Sequence, residues 1–303
     1  MAKSILDALQ RRARKASQSR ENGRNGLRVH PAFAVDPQIR PVPDAELRSD
    51  PRDALNQICD ISDWRAGPMI DVLEELREPV RIHRKAWEYG KSLHGLRRLG
   101  AIRRNAHGVS IGAGAERPLF YLANHVDRIT ATDLYESQAE PWGWGSDFLR
   151  DPGAYAPFPF RPDGLVVRNM SGLELEFPSS SLDFVYTLSS IEHFGGHEAA
   201  RTAMREMARV TKPGGVVCVV TELVLSQESA PELFTVDELR EYLVHGSELK
   251  LADSQIDLRI SESLLAHPVH LVKESDLVSP HIVLTGWGET GAVWTSVILF
   301  FVK

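Results

Sequence analysis

Cysteine is nearly absent. Cys59 and Cys218 are the only two in 303 residues, too few for a disulfide framework, and a reducing compartment fits best. Cys218 lies within an apolar run, where a thiol acts as a small buried hydrophobe. Long hydrophobic runs are missing too. The most apolar stretches, 216–220 and 297–302, fall far short of the roughly 18 residues that cross a bilayer, so no membrane span is expected. No secretory signal core stands near the start, and the expected location is cytoplasmic. Basic charge is scarce beyond the first thirty residues. Eight Lys and Arg between Lys3 and Arg28 face only Asp7 and Glu21, which makes that segment +6 and leaves −12 for the rest of a chain of net charge −6. An acidic body repels phosphate backbones, so nucleic acid is not an expected partner. What remains, 43% hydrophobic and 25% charged residues, is an ordinary globular composition.

The chain divides by composition. Residues 1–50 read as a basic flexible tail and linker, with Pro31, Pro37, Pro41 and Pro43 unable to continue a helix or donate to a ladder. Residues 51–107 read as an N-terminal helical cap: Ile70, Leu73, Leu76, Trp87, Leu93 and Leu96 recur at helical intervals, predicting helices near 51–60 and 68–99. From 108 to 303 short apolar runs alternate with helical segments. Strands are predicted at 109–112, 128–133, 165–168, 184–188, 216–222 and 292–302, with 249–260 a weaker candidate. Helices are predicted at 118–124, 197–210 and 236–244. Such alternation predicts a parallel sheet covered on both faces, a doubly wound α/β fold.

In such sheets ligands sit beyond the carboxyl ends of the strands. The first strand ends in VSIGAGAE, 109–116, where Gly112 and Gly114 let the backbone turn sharply. The second ends in Asp133, about 20 residues past Gly112, at the interval where a carboxylate receives ribose hydroxyls. Glycine turn plus acid points to a nucleoside. A dinucleotide fingerprint would want glycine at 117, where Arg117 stands before Pro118, which disfavours a nicotinamide cofactor and an oxidoreductase. Gly108-Val109-Ser110-Ile111-Gly112 satisfies the hydrolase elbow G-x-S-x-G, but Ser110 falls inside the strand, not at its corner.

Two further segments, LEFPSSSLDFVYTLSSIEHFGG at 175–196 and EMARVTKPGGVVCVVTE at 206–222, complete a pattern. With the glycine loop and Asp133, they resemble the class I S-adenosylmethionine-dependent methyltransferases of the type 11 kind, over roughly 108–222. The resemblance implies a Rossmann-like doubly wound seven-stranded sheet, S-adenosyl-L-methionine as cofactor, and methyl transfer to a small-molecule acceptor. Similar-looking bacterial chains point to a saccharide or glycan precursor. Carried over residue by residue, it implies that Gly112, Ala113 and Gly114 form the cofactor loop, with Glu116 at its third-glycine position. Asp133 takes the ribose, Leu134 lies against adenine, and Met170, Ser171 and Gly172 border the adenine amino group. Ser189 and Ser190 line the methionine moiety. Ser110 and Ser171 stand where the family usually has acids. A non-catalytic member of the fold, kept as a binding scaffold, is therefore the alternative.

Sulfonium methyl transfer needs chiefly placement of the nucleophile. For a hydroxyl acceptor a general base helps; His193, just past the fourth strand, is the candidate catalytic base, with Glu192 to orient it. No metal site is expected, because the glycines between His193 and His197 break the helix that would align two imidazoles. Residues 134–164 carry Trp142, Trp144, Tyr155, Phe158 and Phe160 among Gly and Pro, an aromatic insertion able to shape a lid or a satellite core. On the preceding helix, His83 with Trp87 and Arg84 with Glu88 share a face that would close over the cofactor, so that Trp87 would matter for turnover and not for folding. Whether the long helix pairs two copies as a homodimer is left open.

Overall fold

Strands buried on both faces are stable only where helices cover the sheet on each side, and the chain builds around five parallel strands of this kind. The computed structural model describes residues 33–65, 67–79, 81–135, 145–274 and 277–303. Trp142, Trp144 and the basic segment before residue 31 lie outside the described residues. Strands β1 (His107–Ile111), β2 (Arg128–Asp133), β3 (Leu165–Asn169), β4 (Leu182–Leu188) and β5 (Thr211–Val224) run parallel in the order β3-β2-β1-β4-β5. The last strand, β6 (Val293–Val302), joins β5 antiparallel. Beyond it Leu284–Thr285 continues the sheet antiparallel to β6. Six of these seven are expected strands, Leu284–Thr285 is not, and Val269–His270, Gln57–Ile58 and Lys250–Leu251 bring the sheet to ten.

Helices α1 (Pro68–Glu75), α2 (Arg84–Arg98), α3 (Arg117–His125) and α4 (His197–Val210) supply the cover. In α4 the small and flexible residues Ala200, Ala203, Met204, Met207 and Ala208 are buried while its Arg and Glu residues face outward, the pattern that seats a helix on a sheet. Helix α2 begins at His83, whose Nδ1 accepts the Lys85 backbone N–H at 3.1 Å.

Several expectations are corrected. The predicted helix over 51–60 is extended chain; its Gln57–Ile58 pairs with β6 because the segment is buried at the sheet's far edge. The single helix expected over 68–99 is two, broken where Arg77 adopts a left-handed φ of 51° before Pro79. Residues 249–260 give only Lys250–Leu251 and the beginning of Arg259–Ser261. The expected linker is structured from Phe33 onward in part: Arg40–Val42 pairs with Arg259–Ser261, and Leu47 of the helical turn Asp44–Ser49 is fully buried. The helical cap shares one core with the sheet, since Leu73, Trp87 and Leu96 pack into the same cluster as Val217 and Phe300. The aromatic insertion packs into the main core and not into a satellite of its own: Tyr135, Phe148 and Tyr155 meet ring to ring, and Phe160 packs edge-on against Phe120 at 5.1 Å.

Trp87 is not a cofactor lid. It is fully buried, and its Nε1 donates to Asp63 at 2.7 Å within a network that includes Arg52 and Lys91. Trp87→Ala should therefore destabilise the fold by about 3–5 kcal/mol. A urea unfolding curve checks this, and an unchanged midpoint would contradict the packing described.

Candidate active site

The strand order reverses between β1 and β4, so their carboxyl ends part and leave a crevice. Gly112, immediately after β1, has φ +65°, a conformation that glycine adopts at least cost. It is pressed against the β4 turn: a Cβ there would come within 2.5 Å of Ser190 Cβ, and Ser190 Oγ donates to the Gly112 carbonyl at 2.8 Å. Ala113 is buried with both backbone groups engaged, its N–H on Thr132 and its carbonyl on the Tyr135 hydroxyl at 2.7 Å. Asp133 ends β2, its Oδ1 accepting the Leu134 N–H at 2.7 Å and its carbonyl accepting the Met170 N–H. Leu134 is 51% exposed at the crevice, an apolar surface with room for a flat ring.

Met170 is buried, and Ser171 Oγ accepts the Leu173 N–H in a turn. Gly172 is closely packed, because a Cβ there would meet Ile111 and Phe194 side chains at 2.7 Å. Its observed role is this packing, with Phe194 laid between Gly172 and Gly112. Ser110 lies buried inside β1, away from the strand corner.

Behind the loop lies a cluster of charge that the motifs alone did not reveal. Arg84 of α2 bonds Glu88 at 2.9 Å and Glu222 of β5 at 2.6 Å, and its guanidinium covers Trp294 at 4.9 Å. Lys85 meets the other oxygen of Glu88 at 2.8 Å, and Ser296 of β6 donates to Glu88 at 2.7 Å. Glu192 is buried past β4 with Thr221 donating to it at 3.0 Å. Burial pushes the Glu192 carboxyl up to about 8, and neighbouring Glu222 adds to the effect. Glu116, before α3, is likewise pushed up to about 8 by burial, with Lys85 opposing and Glu88 and Asp133 reinforcing. One oxygen each of Glu116, Glu192 and Glu222 is buried without a hydrogen-bond partner. Burial also raises Glu222, against Arg84. For Glu88 burial acts the same way, yet Lys85 and Arg84 outweigh it and hold the carboxyl below its usual range. Four carboxylates thus share two cations.

Ser189, between β4 and Ser190, holds φ +49°, a left-handed backbone that a non-glycine residue adopts at a cost of order 1–3 kcal/mol and that clusters at functional sites. Its hydroxyl sits beside Glu222.

His193 is 45% exposed at the rim. The expected orientation by Glu192 is corrected: Nε2 lies 4.0 Å from Glu192 Oε1, beyond hydrogen-bond reach, while Nδ1 meets Glu232 Oε2 at 3.2 Å. His193 also stacks on Trp287, centroids 5.8 Å apart. His197 turns to other work, its Nε2 on the Leu233 carbonyl at 3.1 Å. No group of His, Cys, Asp and Glu among the described residues is arranged to hold a metal. A separate cavity of about 600 Å³, lined in part by Arg205, Arg209 and Lys303, opens at the opposite, amino-terminal end of β5 and includes none of these residues.

Residues 109–219 match the family model described as a methyltransferase domain. Over that stretch, a little more than a third of its length, the chain carries a methyltransferase domain, which supports S-adenosylmethionine-dependent methyl transfer of the class I kind. Its cofactor class is S-adenosyl-L-methionine. Among solved structures, the chain is similar to a SAM-dependent methyltransferase from Aquifex aeolicus, 14% identical with TM-score 0.42, covering 78% of this chain and 100% of that one. It is similar to the N-methyltransferase NodS from Bradyrhizobium japonicum, 14% identical with TM-score 0.40, covering 69% and 92%. A candidate sarcosine dimethylglycine methyltransferase from Galdieria sulphuraria is 18% identical with TM-score 0.41 over 55% of this chain, which spans 60% of that one. No curated protein matches the chain. Among the described residues no helix is long and apolar enough to cross a membrane.

The buried acids of the crevice give stability a sign with pH. A carboxyl raised to about 8 folds best protonated, so its contribution is full below the ordinary value near 4.5 and is lost as pH climbs through about 8. Glu192→Gln should flatten that decline and make the variant more stable than the parent at pH 9. Urea midpoints at pH 5 and pH 9 measure it; parallel profiles for the two proteins would contradict the assignment.

Proposed function

We propose that this methyltransferase passes the methyl group of S-adenosylmethionine to a small-molecule acceptor, with Asp133, Leu134 and Glu116 as its main cofactor contacts and His193 as the base at the acceptor side. The observation that carries the reading is the convergence at the strand-order reversal of Asp133, exposed Leu134, the strained Ser189 and a carboxylate excess around Arg84 and Lys85. A nucleoside bearing positive charge at the far end of its side chain complements each of these: an acid for ribose hydroxyls, an apolar surface for adenine, and unbalanced carboxylates for the cationic end. The unpartnered Glu116 oxygen fits that cationic end. Gly112, Ala113 and Gly114 shape the turn, Met170, Ser171 and Gly172 close its side, and Ser189 borders the methionine portion.

The bound cofactor supplies a methyl group already activated by its sulfonium, so the protein's own contribution is placement and charge. Ser190 and Phe194 hold the Gly112 turn against β4. Arg84 keeps Glu88 and Glu222 in place at the floor of the crevice. Its rim carries His193, Glu232 and Trp287, groups suited to a polar acceptor with a flat or ring-shaped body. A saccharide or glycan precursor is the acceptor class favoured by this rim and by the sequence resemblance.

Calorimetric titration with S-adenosylmethionine tests the cofactor site. Asp133→Ala should lose about 1.5–3 kcal/mol, roughly ten- to a hundredfold in Kd. Equal affinity in the variant would remove Asp133 from the site. If the cofactor's cation pairs with Glu116, binding expels the proton that Glu116 holds below about 8. Affinity should then rise with pH by up to about tenfold per unit and level off above that value, and Glu116→Gln should abolish the slope. A flat profile in the parent protein would exclude Glu116 as the cation's partner.

A further inference from the structure

A histidine can take a proton at one ring nitrogen only when the other nitrogen holds its own, and this structure contains an arrangement that fixes which is which. His193 Nδ1 faces Glu232 Oε2 at 3.2 Å, and Nε2 has no hydrogen-bond partner among the described residues. The carboxylate accepts only, so the Nδ1 side must carry the hydrogen and Nε2 presents its lone pair. Three contacts hold the dyad. The ring lies nearly parallel to Trp287, with an interplanar angle of 13°. Trp287 Nε1 donates to the Pro231 carbonyl at 3.1 Å, next to Glu232 in the chain. His197 binds the Leu233 carbonyl on the other side of Glu232. Glu232 itself sits at φ +72°, a left-handed backbone at a non-glycine residue, which brings its carboxylate to the imidazole at a conformational cost. Trp287 packs edge-on against Trp294, the ring that Arg84 covers, so the dyad is built onto the same charged floor as the crevice.

We propose that Glu232 is the positioning residue of His193 and that the His193–Glu232 dyad dedicates this enzyme to hydroxyl acceptors; the proposal rests on the methyl-transfer reading above. An uncharged amine attacks with a lone pair already free and needs no base in the bond-forming step, whereas an alcohol or phenol must lose its proton as the new bond forms. In the balanced step the acceptor oxygen bonds the methyl carbon, the carbon–sulfur bond breaks with its electron pair left on sulfur, and the hydroxyl proton passes to Nε2. Positive charge moves from sulfur to the imidazolium, where Glu232 compensates it. The half-exposed ring then returns the proton to solvent.

Long-range proton–nitrogen correlation spectra of the full chain with S-adenosylhomocysteine read the tautomer directly. The Nδ1–H form is expected in the parent protein and in Glu232→Gln, whose carboxamide oxygen still accepts. Glu232→Ala should revert to the Nε2–H form that free imidazoles prefer. A parent spectrum showing Nε2–H, or an Ala variant indistinguishable from it, would overturn the dyad. A panel of methyl glycosides, phenols and primary amines, with S-adenosylhomocysteine release as the readout, tests the acceptor class. Hydroxyl turnover should fall about 10²–10⁴-fold in His193→Ala. Glu232→Ala should lower kcat rather than raise KM, with recovery in Glu232→Gln, and circular dichroism confirms the fold of each variant. Amines turned over equally by parent and His193→Ala, with hydroxyl compounds inert, would overturn the hydroxyl assignment. Failure of a folded protein to bind either adenosyl ligand by calorimetry would instead strike the reading beneath it, leaving the tautomer result to stand separately.

Discussion

One guanidinium organises this molecule's functional end. Arg84 leaves α2, bonds Glu88 on its own helix and Glu222 on β5, and lies over Trp294 on β6. Burial alone would weaken the charged form of such a group, but Glu222 and Glu88 more than offset it and keep it charged. The pair of carboxylates needs the cation as much as it needs them, since a buried charge stripped of its partner costs several kcal/mol. Helix α2 is therefore seated on the sheet by charge as well as by Trp87 and Leu96, and it ties β5 to the crevice beside the Gly112 turn.

The same cluster is unbalanced by design of its composition. With Lys85 the second cation beside Arg84, two cations meet Glu88, Glu116, Glu192 and Glu222, and burial resolves the excess by holding protons on Glu116 and Glu192. A crevice of this kind is a poor host for anions and a good one for a ligand that carries positive charge. At the rim the logic changes: Glu232 and His193 are roughly half exposed, and there geometry matters more than the field. In the proposed mechanism, floor and rim divide the chemistry between attracting the charged donor and accepting a proton from the nucleophile.

The parallel sheet was legible because short strand-like runs alternate with helical segments along the chain: β2 matches the expected 128–133 at both ends, and α4 matches 197–210. Gly112 and Asp133 were legible because they follow strands at a fixed chain interval. What escaped the sequence was set by contacts between distant segments. Residues 51–60 carry helical spacing, but the edge of β6 offered hydrogen bonds that local propensity could not outweigh. Trp87 was misplaced because an amphipathic face does not say whether it meets a cofactor or Asp63. Glu222 could have been read as an acid closing an apolar strand. Glu232 and Trp287 could not: neither sits in a motif, and only the fold brings a loop after β5 and a loop before β6 to the same histidine.

Strand β6 has a consequence for how the chain reaches this state. Along one side it binds β5 over nine residue pairs, and along the other it receives Leu284–Thr285, Gln57–Ile58 and Lys250–Leu251 in succession. Four segments scattered over the sequence converge on its final stretch. On a ribosome that strand emerges after all its partners, which must wait with unsatisfied backbone while the half around β1, β2 and β3, built from nearer neighbours, condenses first. Maturation of the β6 side should trail that of the β1–β4 side, and the interval between them is when a chaperone has most to shield.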